Sequence, residues 1–283
     1  MRDVTFGQYY PTNSPIHKLD SRAKIIFTFL YILSIFFVVS YVSYAVVALF
    51  LLTIILMSKI PLKMVLKSIK GVMFLILFTV ILNLFMYKGG QPLVHWWIFT
   101  ITAEGIDFTI KMALRLFFLI IGTSLLTFTT TPMELTDGIE SLMKPLKYIK
   151  FPVHDFALIM SIALRFIPTL IDETDKIMMA QKSRGAGFDT GGLISKAKAM
   201  IPVLIPLFVS AFRKAEELAD ALDARCYNAS PNRVKMKKLA FTYRDLVALF
   251  VMTAVVVFIF VDKYYIGGIG IDKFILQFFK GIM

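Results

Sequence analysis

Long uncharged apolar runs alternate with short basic segments along much of the chain. No charged residue occurs in the runs 25–57, 71–87 and 246–261. A helix needs about 20 largely apolar residues to cross a bilayer core of about 30 Å. Because lipid offers the backbone no hydrogen-bond partner, such segments fold as helices. The pattern predicts an all-α, polytopic helical membrane protein.

The first run, 25–57, is too long for one pass. As a single helix its residues would extend about 50 Å. We therefore predict two short passes joined by a turn near residues 40–43. Basic residues precede the run and follow it, and flanks of the same charge on the same side require an even number of crossings.

Three further passes are predicted, at about 72–87, 106–129 and 246–261, which gives five in total. Between the third and fourth lies a loop with Gly89-Gly90 and Trp96-Trp97, typical of an outer boundary. Lys111 and Arg115 fall within the fourth pass on one helix face. Two interpretations stay open for them: snorkelling to the interface, or a functional contact inside the membrane.

Residues 132–244 have a different, mixed-charge composition. Thr131-Pro132-Met133-Glu134 has the pattern of a helix start, with Thr131 as N-cap. The uncharged stretch 199–212 is too short for a span and predicts a buried or interfacial helix. We expect helices in this region to begin or break at its prolines: Pro132, Pro145, Pro152, Pro168, Pro202, Pro206 and Pro231.

These segments divide the chain into three predicted parts: 1–130 with four passes, 131–240 as a cytoplasmic or interfacial region, and 241–283 with the last pass and an external tail. Most Lys and Arg residues fall in the segments placed inside by this topology. It puts the N-terminus and 131–240 in the cytoplasm and the C-terminus outside. The polar first 20 residues contain no signal-peptide core.

Composition supports the membrane assignment. Of 283 residues, 58% are hydrophobic and the mean hydropathy is +0.74, against roughly 45–50% apolar residues in soluble domains. The net charge of +12 is explained mainly by loop topology, so we predict a lipid bilayer and no nucleic acid as partner. The one cysteine, Cys226, excludes an intrachain disulfide and is expected to be a small packing residue.

Several kinds of catalytic chemistry are missing from the sequence. The glycine-rich stretch 183–192 lacks the Gly-Lys-Ser/Thr of a P-loop, so it is better explained as a turn between helices. The histidines His17, His95 and His154 are too scattered for one metal site. The acidic group at 172, 173 and 175 wraps its helix, which favours a solvated surface or a contact with a charged partner over a metal site. The chain is therefore predicted not to be an enzyme.

A near-repeat within residues 132–244 is the most informative pattern. Each copy has an apolar segment with proline, an acidic cluster, and a small residue followed by arginine at a predicted helix end. A helix dipole interacts favourably with one such arginine, by under ~1 kcal/mol, but explains the same layout twice less readily. The two copies end in Ser183-Arg184-Gly185 and in Ala224-Arg225-Cys226.

On these motifs the sequence resembles the transmembrane T component of energy-coupling factor (ECF) transporters, ABC-type importers of vitamins and some metal ions. The segments 14–24, 165–168 and 213–219 also resemble that family. Cys226 stands where the family usually has glycine. The resemblance implies a pair of long cytoplasmic coupling helices, each with an arginine that binds acidic residues in one of two cytoplasmic ATPases.

The same resemblance implies the remaining partners. A separate membrane-embedded S component would bind the substrate, and this chain would bind no cofactor, with ATP and Mg on the ATPases. The expected location is the cell membrane of a prokaryote. Two alternatives from other classes remain: a polytopic membrane enzyme, which would need a charged constellation at the membrane surface, and a self-contained transporter, which would favour repeated spans.

Overall fold

The structure, a computed structural model, describes residues 8–86, 92–96, 99–149, 151–188, 192–227 and 240–266. Eight α-helices dominate the described residues, and the prediction of an all-α membrane fold is confirmed. A short antiparallel hairpin joins the third and fourth helices. The elements are α1 Ser21–Phe36, α2 Tyr41–Ser58, α3 Leu62–Met86, β1 Pro92–Trp96, β2 Phe99–Thr102, α4 Ala103–Thr129, α5 Pro132–Leu142, α6 Val153–Ser183, α7 Leu193–Ala224 and α8 Tyr243–Val261.

The long first apolar run is split into α1 and α2, as predicted, but the turn lies slightly earlier than expected. Residues 37–40 make the turn, and the Ser40 side chain accepts a hydrogen bond from the Val42 backbone N–H at 3.1 Å. This N-cap starts α2 without glycine or proline. Ser40 is therefore the residue that sets the break in an otherwise uninterrupted apolar sequence.

The chain forms two compact units, one containing residues 140–238 and the other residues 7–139 and 239–283. In the second unit, α4 packs against α1, α2 and α3, and α8 packs against α1 and α2. Tyr31, Val47, Phe118 and Leu125 belong to its buried core. The three-part division at 130 and 240 stays a prediction.

The segment before α1 ties the ends of several helices of this unit together. The Tyr10 backbone N–H donates to the Phe128 carbonyl at 3.0 Å, and the Thr12 hydroxyl donates to the Ser58 carbonyl at 3.2 Å. The buried Lys24 Nζ donates to the carbonyls of His17 and Thr129 at 3.0 and 2.8 Å. Lys24 thereby supplies a donor to the last carbonyl of α4, that of Thr129, which has no partner within its own helix, and links it to the N-terminal segment.

The two cations of α4 have partners in the protein. Lys111 Nζ lies 2.9 Å from an Asp107 carboxylate oxygen, and Tyr41 donates its hydroxyl to the same carboxylate at 2.6 Å. Arg115 Nη2 donates to the Val38 carbonyl, in the turn between α1 and α2, at 3.1 Å. These contacts hold the turn against α4 and give both cations partners inside the protein, and the choice between snorkelling and a functional contact stays a prediction.

Five described helical segments are long and apolar enough to cross a membrane: Tyr41–Ser58, Leu62–Phe85, Ala103–Thr129, Val153–Ser183 and Tyr243–Tyr264. The number matches the sequence prediction, but the set differs. The 16 residues of α1 extend only about 24 Å, whereas α6, part of the region predicted to be cytoplasmic or interfacial, is long and apolar enough. The predicted orientation of the termini stays a prediction, and most of the C-terminal tail lies outside the described residues.

The prediction that helices break at Pro168, Pro202 and Pro206 was wrong, since these residues lie inside α6 and α7. Proline at position 206 has no N–H to offer the carbonyl four residues earlier, that of Pro202. The Gln181 side chain of α6 donates to this carbonyl instead, at 3.4 Å. A neighbouring helix thus supplies the donor that proline removes, and α7 continues.

Gln181→Ala should lower the free energy of unfolding by about 0.5–1 kcal/mol, because it removes that donor. Pro206→Ala restores a backbone N–H to the Pro202 carbonyl, so in its background Gln181→Ala should cost much less. Thermal unfolding of the full chain in detergent, for both singles and the double, measures this coupling. An equal loss in both backgrounds contradicts the assignment.

Candidate functional site: two arginine turns

The end of α6 forms the first arginine turn, residues 183–186. Arg184 is the C-cap, and Gly185 follows in the left-handed region with φ of 89°. The Gly185 N–H donates to the Lys182 carbonyl at 3.0 Å, and the Ala186 N–H donates to the Gln181 carbonyl at 3.0 Å. This pair of bonds is a Schellman motif, which satisfies the last carbonyls of the helix.

The end of α7 forms the second arginine turn, residues 224–227, with the same bonds. Arg225 is the C-cap and Cys226 has φ of 51°. The Cys226 N–H donates to the Asp223 carbonyl at 2.8 Å, and the Tyr227 N–H donates to the Leu222 carbonyl at 2.9 Å. The repeat seen in the sequence is therefore also a repeat of backbone geometry, with arginine at one fixed position.

Cys226 holds a backbone conformation that glycine adopts more easily. A residue with a side chain in the left-handed region costs roughly 1–2 kcal/mol. Glycine avoids this cost, which explains why Gly185 occupies the matching position of the first turn. The expectation that Cys226 is a packing residue was wrong, because its thiol is exposed. It stands at the C′ position of the turn, where geometry rather than packing restricts the choice.

Both arginines project from their turns into open space. All six residues predicted for the site, Ser183, Arg184, Gly185, Ala224, Arg225 and Cys226, are exposed. Within the part of the chain that the structure describes, neither Arg184 nor Arg225 takes part in an ion pair. A free guanidinium with five donors in a planar fork is suited to bidentate pairing with a carboxylate.

The structure does not bring the two arginine turns together. Lys214 of α7 lies 3.7 Å from the Glu173 carboxylate of α6, and Gln181 contacts Pro202. These pairs run in opposite order along the two helices, so α6 and α7 run in opposite directions at their contact. Each arginine is 11 positions beyond its member of the ion pair, roughly 16 Å along a helix. The turns therefore lie on opposite sides of the crossing, roughly 30 Å apart.

One acidic residue before the first turn contacts the neighbouring helix. Glu173, part of the acidic group noted in the sequence, forms the ion pair with Lys214, and both side chains remain partly exposed. Such an exposed pair contributes little stability, ~0–1 kcal/mol. The pair shows which faces of α6 and α7 meet, and the prediction of a solvated surface or a charged partner contact for the acidic group stays a prediction.

An exposed apolar stripe on α7 was not singled out from the sequence. Ile205, Phe208 and Phe212 are 61%, 62% and 72% exposed, and with Ile201 they recur at intervals of three and four residues. That spacing places them on one helix face. The helical period of residues 201–212 would have revealed this stripe, had it been applied to the short uncharged segment.

Other candidate chemistry finds no support in the described residues. Among them, no group of three or more His, Cys, Asp or Glu side chains could hold a metal ion. His154 pairs with Glu140 at 3.5 Å, and His17 is hydrogen-bonded within the N-terminal segment, at 2.6 Å to Ser14. Part of the glycine-rich stretch, residues 189–191, lies outside the described residues.

Comparison with known proteins gives one consistent result. The profile of the cobalt transport protein family, CbiQ, matches residues 12–236. The chain is 52% identical over 264 residues to the energy-coupling factor transporter transmembrane protein EcfT of Ruminiclostridium cellulolyticum. The aligned region covers 93% of this chain and 98% of that protein. It is 51% identical to the protein of the same name from Clostridium kluyveri, over 88% of this chain and 92% of the relative. The Bacillus subtilis protein of that name is 42% identical over 92% of this chain and 99% of the relative.

Proposed function

The chain belongs to the CbiQ family as an energy-coupling transmembrane component of ECF transporters, and we propose that its two arginine turns each dock one cytoplasmic ATPase subunit. The observation that carries the proposal is the repeated turn: two helices end in the same hydrogen-bonded geometry, with an exposed arginine at the same position that forms no ion pair with any described residue. Two equivalent arginine turns are suited to binding two ATPase subunits with similar acidic grooves.

Separation of the turns supports a division of labour between two ATPases. Anchors roughly 30 Å apart along oppositely directed helices cannot both enter one small groove. Each guanidinium would pair with acidic side chains of its own ATPase. The ATPase pair would close when ATP binds and open after hydrolysis, and this would move the carboxyl ends of α6 and α7 relative to each other. The Glu173–Lys214 contact would lie close to the pivot of this movement.

A membrane-embedded S component is the proposed second partner. The exposed stripe of α7 offers aromatic and branched apolar side chains in a continuous row, and an exposed apolar patch on a helix marks an interaction surface or lipid contact. The S component would carry the substrate, a vitamin or other micronutrient. ATP and Mg would be bound by the ATPases, while this chain transmits the movement.

Purification of the tagged full chain from its native membrane tests this function. We expect ABC-type ATPase subunits and a small membrane protein to copurify in stable stoichiometry. The isolated chain should show no ATP turnover, and the complete complex in proteoliposomes should couple turnover to uptake. Uptake of a substrate by the isolated chain, or nucleotide hydrolysis that survives removal of contaminants, would instead support the self-contained transporter or the enzyme.

A further inference from the structure

A crevice of about 390 Å³ lies in the unit formed by residues 7–139 and 239–283, between α1, α2, α4 and α8. Its volume falls in the range of small-molecule sites, about 300–1,000 Å³. Apolar side chains make most of its wall, among them Phe27, Phe50, Leu125 and Val251. We refer to it below as the α8 crevice.

One residue of the crevice wall on α8 is small. Ala248 of α8 lines the crevice with a single methyl group, whereas Gly122 of α4 meets the ring of Tyr31, which occupies the position that a Cβ there would take. The neighbouring face of α8 is exposed: Val247 and Val251 are 42% and 43% accessible. In a bilayer, a crevice beside such a face borders lipid tails rather than water.

Two cations stand in the wall near the amino-terminal ends of α1 and α8, Lys24 and Arg244. The Lys24 ammonium uses two of its three N–H groups on the carbonyls of His17 and Thr129. The Arg244 side chain is exposed, and within the described residues it takes part in no ion pair. The crevice therefore has an apolar body and, at one end, the exposed Arg244 guanidinium, while carboxylates near Lys24 offset the charge of that ammonium.

Asp245, the acidic residue next to Arg244, forms no ion pair with it among the described residues. Asp245 accepts the Asp20 backbone N–H at one carboxylate oxygen, at 2.8 Å, and the Thr242 backbone N–H at the other, at 2.7 Å. The first bond joins the N-terminal segment to α8, and the second caps α8. Both oxygens of Asp245 thus accept backbone N–H groups, and the exposed Arg244 guanidinium is accessible to an outside anion.

We propose that the α8 crevice binds one anionic phospholipid, with an acyl chain between the helices and the headgroup phosphate at Arg244. The shape and charge match both halves of such a molecule. A basic pocket between transmembrane helices is a known way to hold an anionic headgroup, and burial of an acyl chain in an apolar crevice is favourable in proportion to its area. This inference is independent of the proposed ATPase docking.

Native mass spectrometry of the full chain, delipidated and then supplied with dioleoyl phosphatidylglycerol or dioleoyl phosphatidylcholine, tests the proposal. Wild type should retain one phosphatidylglycerol per chain. Arg244→Gln should lower the preference for phosphatidylglycerol over phosphatidylcholine by about five-fold, the effect expected of one interfacial basic residue. Lys63→Gln, which removes an exposed charge outside the crevice, should leave the preference unchanged.

A second pair of variants tests the acyl-chain half. Ala248→Phe fills the crevice and should abolish the retained lipid, whereas Ala254→Phe, an exposed site of α8 outside the crevice, should keep it. If Ala248→Phe fails to fold, the lipid-dependent rise in the unfolding temperature of wild type decides instead. It should be larger with phosphatidylglycerol than with phosphatidylcholine and absent with inorganic phosphate alone.

Three results overturn the proposal. These are equal retention of both lipids by wild type, loss of the lipid in Ala254→Phe as well as in Ala248→Phe, and occupancy of the crevice by a helix of a copurified membrane protein in a structure of the complex.

Discussion

A chain carrying Arg184→Glu and Arg225→Glu should lose ATP-driven uptake and fail to hold its ATPase subunits. Both side chains are exposed at the ends of intact helices, so the variant should still insert and fold. Removing one arginine from a buried, hydrogen-bonded charge pair costs about 2–5 kcal/mol of binding. Glutamate adds repulsion between like charges in the same groove.

The two single reversals separate docking from capping. If each turn anchors one ATPase, Arg184→Glu and Arg225→Glu should each weaken assembly, and the double variant should weaken it more than either. If the arginines only complement the helix dipoles, each should cost under ~1 kcal/mol of stability, with assembly and uptake near normal. Copurification of ATPases and uptake by proteoliposomes, measured for all three variants, decide between these outcomes.

Two controls match the experiment. Lys196→Glu/Lys198→Glu makes the same change in charge on exposed residues of α7 and should leave assembly intact, since neither residue lies in an arginine turn. Cys226→Gly alters the second turn without altering charge. It should remove the positive-φ strain of Cys226, which would raise the free energy of unfolding by roughly 1–2 kcal/mol. Uptake should stay at the wild-type level. Normal uptake by the doubly reversed chain would end the docking hypothesis.

The membrane helices and the arginine turns could be predicted because their signals are local. Apolar length fixed α3, α4 and α8 to within about ten residues. The Schellman geometry needs only a helix end followed by a residue with positive φ, so a small residue, an arginine and a glycine or cysteine were enough to indicate both turns. For these elements, neighbouring residues contain the necessary information.

Other features depend on partners distant in the sequence. Pro206 looked like a helix break because its missing N–H is visible in the sequence, whereas the donor that compensates, Gln181, comes from another helix. The sequence left the role of Arg115 open between snorkelling and a functional contact, because its acceptor, the Val38 carbonyl, is 77 positions away. Similarly, the α8 crevice is formed by four helices and one N-terminal segment, and no single stretch of sequence encodes it.

Gly122→Ala should be the most damaging small substitution in the unit formed by residues 7–139 and 239–283. A Cβ at position 122 would lie 2.0 Å from Cε1 of Tyr31, whose ring is buried. The Tyr31 hydroxyl donates to the Phe118 carbonyl at 2.8 Å, so the ring cannot move away without breaking this bond. Overpacking costs about 1–3 kcal/mol and the lost hydrogen bond about 1 kcal/mol.

Gly71→Ala is the matched control, because α3 leaves open space around Gly71 with nothing within 4 Å of the new Cβ. Alanine is the better helix former by roughly 0.8–1 kcal/mol, so this variant should be neutral or more stable. The unfolding temperature in detergent should therefore fall for Gly122→Ala and stay the same or rise for Gly71→Ala. Tyr31→Ala removes the ring and should make a second change, Gly122→Ala, nearly free. If Gly122→Ala is tolerated as well as Gly71→Ala in the wild-type background, then Tyr31 does not pack across Gly122 as described, and the close approach of α1 to α4 has to rest on other contacts.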